Sequence, residues 1–239
     1  MSDKGIIYYT DNKIEHTPFI PLVRKLLTSY KLPIISTSLA PIDFGENYVL
    51  ENRLRSYPTM VDQIVLALEK LKTKYVFFCE HDVLYHKSHF DFMPVEDDVF
   101  YYNSNVWRWR YGGDRIAIRY NGMLPLSCMC GNREFILNHY HLRQQKIKEW
   151  GLDKIRSREP RWARRWGYEP GRKRKRRGGF TDDKSDVFYS EFPNVDIRHG
   201  RTFSRLKCTM DDFKHKPENW QEIKQEDIPG WDLKKLLNL

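Results

Sequence analysis

The chain has 239 residues, with 41 Lys+Arg against 32 Asp+Glu for a formal net charge of +9, and it is 40% hydrophobic and 14% aromatic. Those proportions exclude a peptide, a fibre and an acidic tail; a chain of this length buries on the order of 70% of its unfolded surface as one compact domain. The longest apolar run, Tyr75 to Cys79, is far short of the roughly 20 residues that span a bilayer, and no signal-peptide core follows Met1, so a soluble, cytoplasmic protein without a transmembrane segment is expected.

In chain order, Gly5 to Thr10 reads as a buried first strand ending at the polar turn pair Asp11-Asn12. A helix follows, with apolar positions Phe19, Leu22, Val23, Leu26 and Leu27, and then a second strand from Leu32 to Thr37, the pattern of a parallel βαβ unit. Pro58 opens the next helix, whose apolar residues Met60, Ile64, Val65, Ala67, Leu68 and Leu71 recur at helical spacing. Tyr75 to Cys79 is apolar on both faces, as central strands of covered sheets are. Further strands are predicted at Val99 to Trp107, Leu126 to Cys130 and Asn194 to Arg198, with a helix from about Asn132 to Trp150. The expectation is an α/β domain with a mostly parallel central sheet whose regular part ends near residue 150, then a basic loop and an irregular C-terminal region.

The charge is concentrated. Between Lys154 and Arg177 stand twelve Lys/Arg and two acids, a local charge of +10, so the other 215 positions carry −1. Pro160, Gly167, Pro170 and Gly171 oppose a continuous helix there, and Trp162, Trp166 and Tyr168 interleave flat faces with the arginines. Such a segment is either a solvated basic loop or a surface for anionic partners, nucleic acid among them. The four cysteines, Cys79, Cys128, Cys130 and Cys208, make no disulfide framework. Cys128-x-Cys130 lacks the second ligand pair of a thiolate zinc site, and small buried side chains are expected there.

The residues that carry chemistry follow the apolar strand directly: Glu80-His81-Asp82. Ligands of open α/β sheets bind beyond the carboxyl ends of the strands. A strand period of two puts Glu80 and Asp82 on one face and His81 on the other, and two converging carboxylates call for a proton or a hard cation such as Mg²⁺ or Mn²⁺. The first strand also ends in an acid, Asp11.

At these positions the sequence resembles bacterial and bacteriophage glycosyltransferases of the GT-A type. The resemblance lies in Cys79-Glu80-His81-Asp82-Val83-Leu84-Tyr85-His86 with His89-Phe90-Asp91-Phe92, in Phe100-Tyr101-Tyr102-Asn103-Ser104-Asn105-Val106-Trp107, in Trp166-Gly167-Tyr168-Glu169-Pro170-Gly171 and in Asn194-Val195-Asp196-Ile197-Arg198-His199-Gly200. It implies a single GT-A-like, Rossmann-like domain: residues 1–107 as the nucleotide-sugar-binding half, 108–215 as the acceptor and catalytic half with the basic loop 154–177, and 216–239 as a tail. It further implies a UDP- or GDP-sugar donor and a Mn²⁺ or Mg²⁺ ion on the donor's diphosphate. Asp82 would be the direct ligand, His199 a further one, and Thr10 and Asp11 would face the nucleoside. Glu80 stands where the family commonly has Asp, so it either ligates the ion or contacts its water or the ribose. His81, His86 and His89 are expected to be supporting groups rather than ligands. If the transfer inverts configuration, a carboxylate that takes the acceptor's proton is sought at Asp182 or Asp183, after Gly178-Gly179, with Glu169 as a further candidate; a transfer that retains configuration requires no such base. If phage-encoded, the protein would act in the host cytoplasm, and the basic loop would recruit a polyanionic acceptor such as a modified DNA base or an acidic glycan. Two other classes fit the residues: a nucleic-acid-binding protein on a non-catalytic α/β scaffold, and a metal-dependent nucleotidyltransferase.

Overall fold

The computed structural model describes residues 2–151, 167–171, 184–202 and 206–237. Among these, twelve strands form two sheets. The first holds seven strands, β1 (Lys4–Tyr9), β2 (Ile34–Ser38), β3 (Glu46–Val49), β4 (Tyr75–Glu80), β6 (Val99–Asn103), β9 (Met129–Asn132) and β10 (Lys184–Phe188), in the order β10-β6-β9-β4-β1-β2-β3. Only β9 runs against its neighbours in this sheet, so the α/β class with a mixed, mostly parallel, Rossmann-like sheet is what the chain adopts.

Strand alternation divides the core between the two faces of that sheet. Ile6, Tyr8, Phe77 and Cys79 point to one side and pack with α1 (Phe19–Ser29) through Phe19, Ile20, Val23 and Leu27. Ile7, Tyr9, Val76 and Phe78 point to the other and meet α2 (Tyr57–Lys70) and α3 (Arg133–Glu149). The Ser56 side chain caps α2 by accepting from the Thr59 amide at 3.2 Å, and Asn132 caps α3 by accepting from the Phe135 amide at 3.1 Å. Cys128 and Cys130 are small buried core residues, as expected, and Asn194 Nδ2 donates to Cys128 Sγ.

The second sheet was not foreseen. It holds β5 (Val83–Leu84), β7 (Val106–Arg110), β8 (Ile116–Arg119), β11 (Asn194–Arg198) and β12 (Gln221–Lys224), in the order β12-β8-β7-β11-β5. The single strand read over 99–107 is therefore two. β6 ends at Asn103, whose Oδ1 accepts from the Asn105 amide, and the chain turns at Ser104-Asn105 to enter the other sheet as β7. β7 also crosses the boundary drawn between 107 and 108. Leu126–Cys128 is a turn of 3₁₀-helix, with β9 starting only at Met129. Regular structure does not stop near residue 150: β10, β11, β12 and the short helix α4 (Leu233–Leu237) follow, because those segments find partners that are remote in sequence. No helix among the described residues is long and apolar enough to cross a membrane.

Candidate active site

A cavity of about 160 Å³ opens at the carboxyl ends of β1 and β4, where Tyr9, Thr10, Asp11, Glu80, His81 and Asp82 form one wall. The end of β4 is fixed from below: the Glu80 amide donates to Tyr85 Oη at 2.8 Å, and Tyr85 Oη donates to the Ser127 carbonyl at 2.9 Å. Gln63 of α2 ties β1 to β2 in the same way, its Nε2 donating to the Thr10 and Thr37 carbonyls at 2.8 and 3.2 Å.

β4 stops at Glu80, and His81-Asp82 form a turn, so strand alternation does not extend to Asp82. As a result His81 lies on the same side as Asp82. β11 pairs antiparallel with β5, and the Ile197 amide donates to the Asp82 carbonyl at 2.8 Å. That pairing delivers His199 to Asp82 across 117 positions of sequence, with Nε2 3.2 Å from Oδ2. One ligand atom each from His81, Asp82 and His199 lies within 4.8 Å of the others. Asp82 and His199 thus meet at hydrogen-bonding distance. His81, expected to be a supporting group, completes the cluster, and its Nδ1 is buried without a hydrogen-bond partner.

Glu80 is outside that cluster. Tyr9 Oη donates to its Oε1 at 2.5 Å, and burial, followed by the neighbouring Asp82 charge, holds its carboxyl well above the usual carboxylate range. Burial also works to raise Asp82, but the His199 hydrogen bond and the His81, His199 and Arg198 charges outweigh it and lower that carboxyl. The two acids differ because Asp82 has the His199 imidazole at hydrogen-bonding distance, whereas the side-chain partner of Glu80 is the neutral Tyr9 hydroxyl.

The opposite wall comes from the second sheet. Asp196 pairs with Arg108 across β11 and β7, Oδ2 to Nε at 3.0 Å, and its Oδ1 is 3.5 Å from Arg198 Nη1. Arg108 also donates to Tyr120 Oη at 2.9 Å. Arg55, in ion contact with Asp11, donates to the Arg201 carbonyl at 2.5 Å and so links the first-sheet wall to the segment after β11. Thr10 accepts from the Asn12 amide at 3.1 Å, and both Thr10 and Asp11 line the cavity, as does Glu169. His86 and His89 do not: His86 Nδ1 is 2.8 Å from Ser88 Oγ, and His89 is buried against Asn103. Asp182 and Asp183, and all of the basic segment except residues 167–171, lie outside the described residues.

Arg55, Arg108, Asp196 and Arg198 were not singled out from the sequence. A signal for the last two existed: β11 is buried at every position, yet polar side chains recur on one of its faces at Asn194, Asp196 and Arg198. Buried alternating charge needs partners, and those partners are the site.

No family model matches the chain, and no curated protein matches it. Among solved structures it is similar to the bifunctional IspDF from Campylobacter jejuni, at 13% identity over 58% of this chain and 43% of that one, with a TM-score of 0.39. The chain thus spans less than half the length of that protein.

Proposed function

We propose that this chain is a metal-dependent glycosyltransferase that moves a sugar from a nucleotide-sugar, UDP- or GDP-linked, to a polyanionic acceptor. The observation that carries the reading is the His81, Asp82 and His199 cluster, two of whose members, His81 and Asp82, line a strand-end cavity that also holds Arg55, Arg108, Arg198 and Arg201. That juxtaposition suits an ion and a diphosphate side by side.

The donor set fits a divalent ion. In its Nε2–H tautomer His81 offers the lone pair of its unpartnered, buried Nδ1, and two imidazoles with one carboxylate suit Mn²⁺ or another transition ion better than Mg²⁺, which favours oxygen ligands. When bound, the ion supplies positive charge against the diphosphate as it leaves. Arg198 and Arg201 line the same cavity and add charge there. Glu80, raised and hydrogen-bonded by Tyr9, fits recognition of a donor hydroxyl rather than ligation. Thr10 and Asp11 fit the nucleoside end.

Among the described residues, Glu169 is the carboxylate we assign to the acceptor's proton. In a direct displacement an oxygen lone pair of the acceptor forms the bond to the anomeric carbon while its proton passes to Glu169. The anomeric C–O bond breaks, and its electron pair leaves with the nucleoside diphosphate. The basic segment 154–177 flanks Glu169 on both sides in sequence, which favours a polyanionic acceptor such as DNA or an acidic glycan.

Calorimetric titration of UDP, GDP and their sugars with and without Mn²⁺ tests the reading. Binding is expected only with the ion and is expected to be lost in Asp82→Ala. No nucleoside diphosphate binding in the presence of Mn²⁺, or equal binding by the variant, rejects it. Pyrophosphate release from a nucleoside triphosphate would assign a nucleotidyltransferase instead, and salt-sensitive DNA binding that survives Asp82→Ala without turnover would assign a binding protein.

A further inference from the structure

On the face of the first sheet that packs against α2 and α3, three side chains converge on the backbone of one pentapeptide, Gly167 to Gly171. Arg143, in the middle of α3, is 1% exposed. Its Nη1 donates to the Gly167 carbonyl at 2.8 Å and to Tyr57 Oη at 2.6 Å, and its Nε donates to His139 Nε2 at 2.7 Å. Tyr102 of β6, also buried, donates through Oη to the Pro170 carbonyl at 2.6 Å. Ser185 Oγ donates to the Gly171 carbonyl at 2.9 Å.

The backbone itself is chosen for this path. Gly167 and Gly171 have φ of +73° and +71°, and a Cβ at Gly171 would stand 2.7 Å from that of Ser185. Between the anchored carbonyls lie the two residues that line the cavity, Tyr168 and Glu169. The Tyr168 ring stands edge-on to Tyr57, centroids 5.8 Å apart, so the arginine and its phenol partner grip the segment together. The Arg143 guanidinium also lies 5.5 Å from the centre of the Tyr140 ring. Both Glu80 and Glu169 act electrostatically on that tyrosine, whose hydroxyl is buried without a hydrogen-bond partner, so the pentapeptide and the end of β4 share one buried neighbourhood.

A buried guanidinium is costly to desolvate, and an apolar side chain of its volume would fill the same space. Its bonds here go to a loop carbonyl and to the groups beside that loop, which is what holding a segment in place requires. We infer that Arg143 and Tyr102 are positioning residues that act through Glu169, clamping Gly167 to Gly171 so that this carboxylate stays at the cavity wall to receive the acceptor's proton. The inference rests on the function proposed above and adds to it which buried residues set the geometry of the proton acceptor.

The test uses the full chain with Mn²⁺, UDP- or GDP-sugar as donor and water as acceptor, reading release of nucleoside diphosphate. Glu169→Gln is expected to lower kcat by about 100-fold or more with donor KM unchanged within about threefold. Tyr102→Phe, which removes the bond to Pro170 and keeps the ring, and Arg143→Lys are each expected to lower kcat by about tenfold at the same KM, since small misplacements of a reacting group cost this much. The double variant Tyr102→Phe/Glu169→Gln should be no slower than Glu169→Gln alone within about twofold, because a residue acting through Glu169 has nothing left to position. A merely structural tyrosine would give a further tenfold loss in that background, and this result overturns the inference. So does an unchanged kcat in either Tyr102→Phe or Glu169→Gln, with the glycosyltransferase reading left standing by the wild-type turnover. Should Arg143→Lys fail to fold, the Tyr102 pair decides alone. A wild-type chain that neither binds nor hydrolyses any of these donors overturns both the function and the inference.

Discussion

The two sheets of this protein handle charge in opposite ways. The seven-stranded sheet is covered on both faces, and its central strands β1 and β4 are apolar between their end residues, so the charges of these two strands, Lys4 and Glu80, appear only at their ends. The five-stranded sheet buries charge within its strands, with Arg108, Asp196 and Arg198 facing one another across β7 and β11. One sheet is a frame that presents a carboxylate at its edge. The other is held in part by an ion-pair network that is also a wall of the cavity. A site between them draws rigidity from the first and charge from the second.

The largest effect is expected where the sheets meet. Asp82→Ala removes the carboxylate that joins β4 to His199, and Mn²⁺ affinity, read by titration of the metal alone, should fall by about 100-fold or more, a loss of at least ~2.7 kcal/mol. Unchanged metal affinity would mean that the sheets meet without forming a site.

In stability rather than metal affinity, a large loss is expected in Asp196→Asn, which leaves two buried guanidiniums short of a countercharge and should cost about 3–5 kcal/mol in urea unfolding. A Phe77→Ala cavity in the first sheet should cost about 3–5 kcal/mol as well. Stability alone therefore does not separate the sheets, but metal affinity does: it should drop in Asp196→Asn, whose strand leads into His199, and hold in Phe77→Ala.

Acid should act on the first sheet at a place remote from the cavity. His89 is buried beside Asn103 and Phe188, and desolvation lowers its pKa from 6.5 to about 3. The unfolded chain takes up its proton below about pH 6.5 while the folded chain does not. Stability is thus fully present above that pH and declines by about 1.4 kcal/mol per unit as pH falls towards 3. Chemical unfolding between pH 7 and 4.5 should show this slope in the wild type and a shallower one in His89→Leu; equal slopes would remove His89 as the cause. The smallest effect is expected at the cap of α2, where Ser56→Ala should cost about 1 kcal/mol by the same unfolding measurement.

The sequence was most informative where structure is local. β1, α1, β2, α2, β4 and α3 were legible because a strand or helix covered on an apolar face must repeat at two or 3.6 residues, whatever it packs against. β6 and β7 were read as one strand because nothing in their apolar content reveals that the two halves join different sheets. Glu80-His81-Asp82 was legible as a functional place, but the assignment of faces within it was not, because the alternation rule ends where β4 ends.

By itself the sequence determined the α/β alternation, the acids at the ends of β1 and β4, and the confinement of net positive charge to residues 154–177. Only the tertiary structure decided which charges meet. The encounter of His81, Asp82 and His199, and the clamping of Gly167 to Gly171 by Arg143 and Tyr102, depend on strand pairing and helix packing between distant segments. Local periodicity specifies which face of an element is buried, and it carries no information about which remote element will cover it.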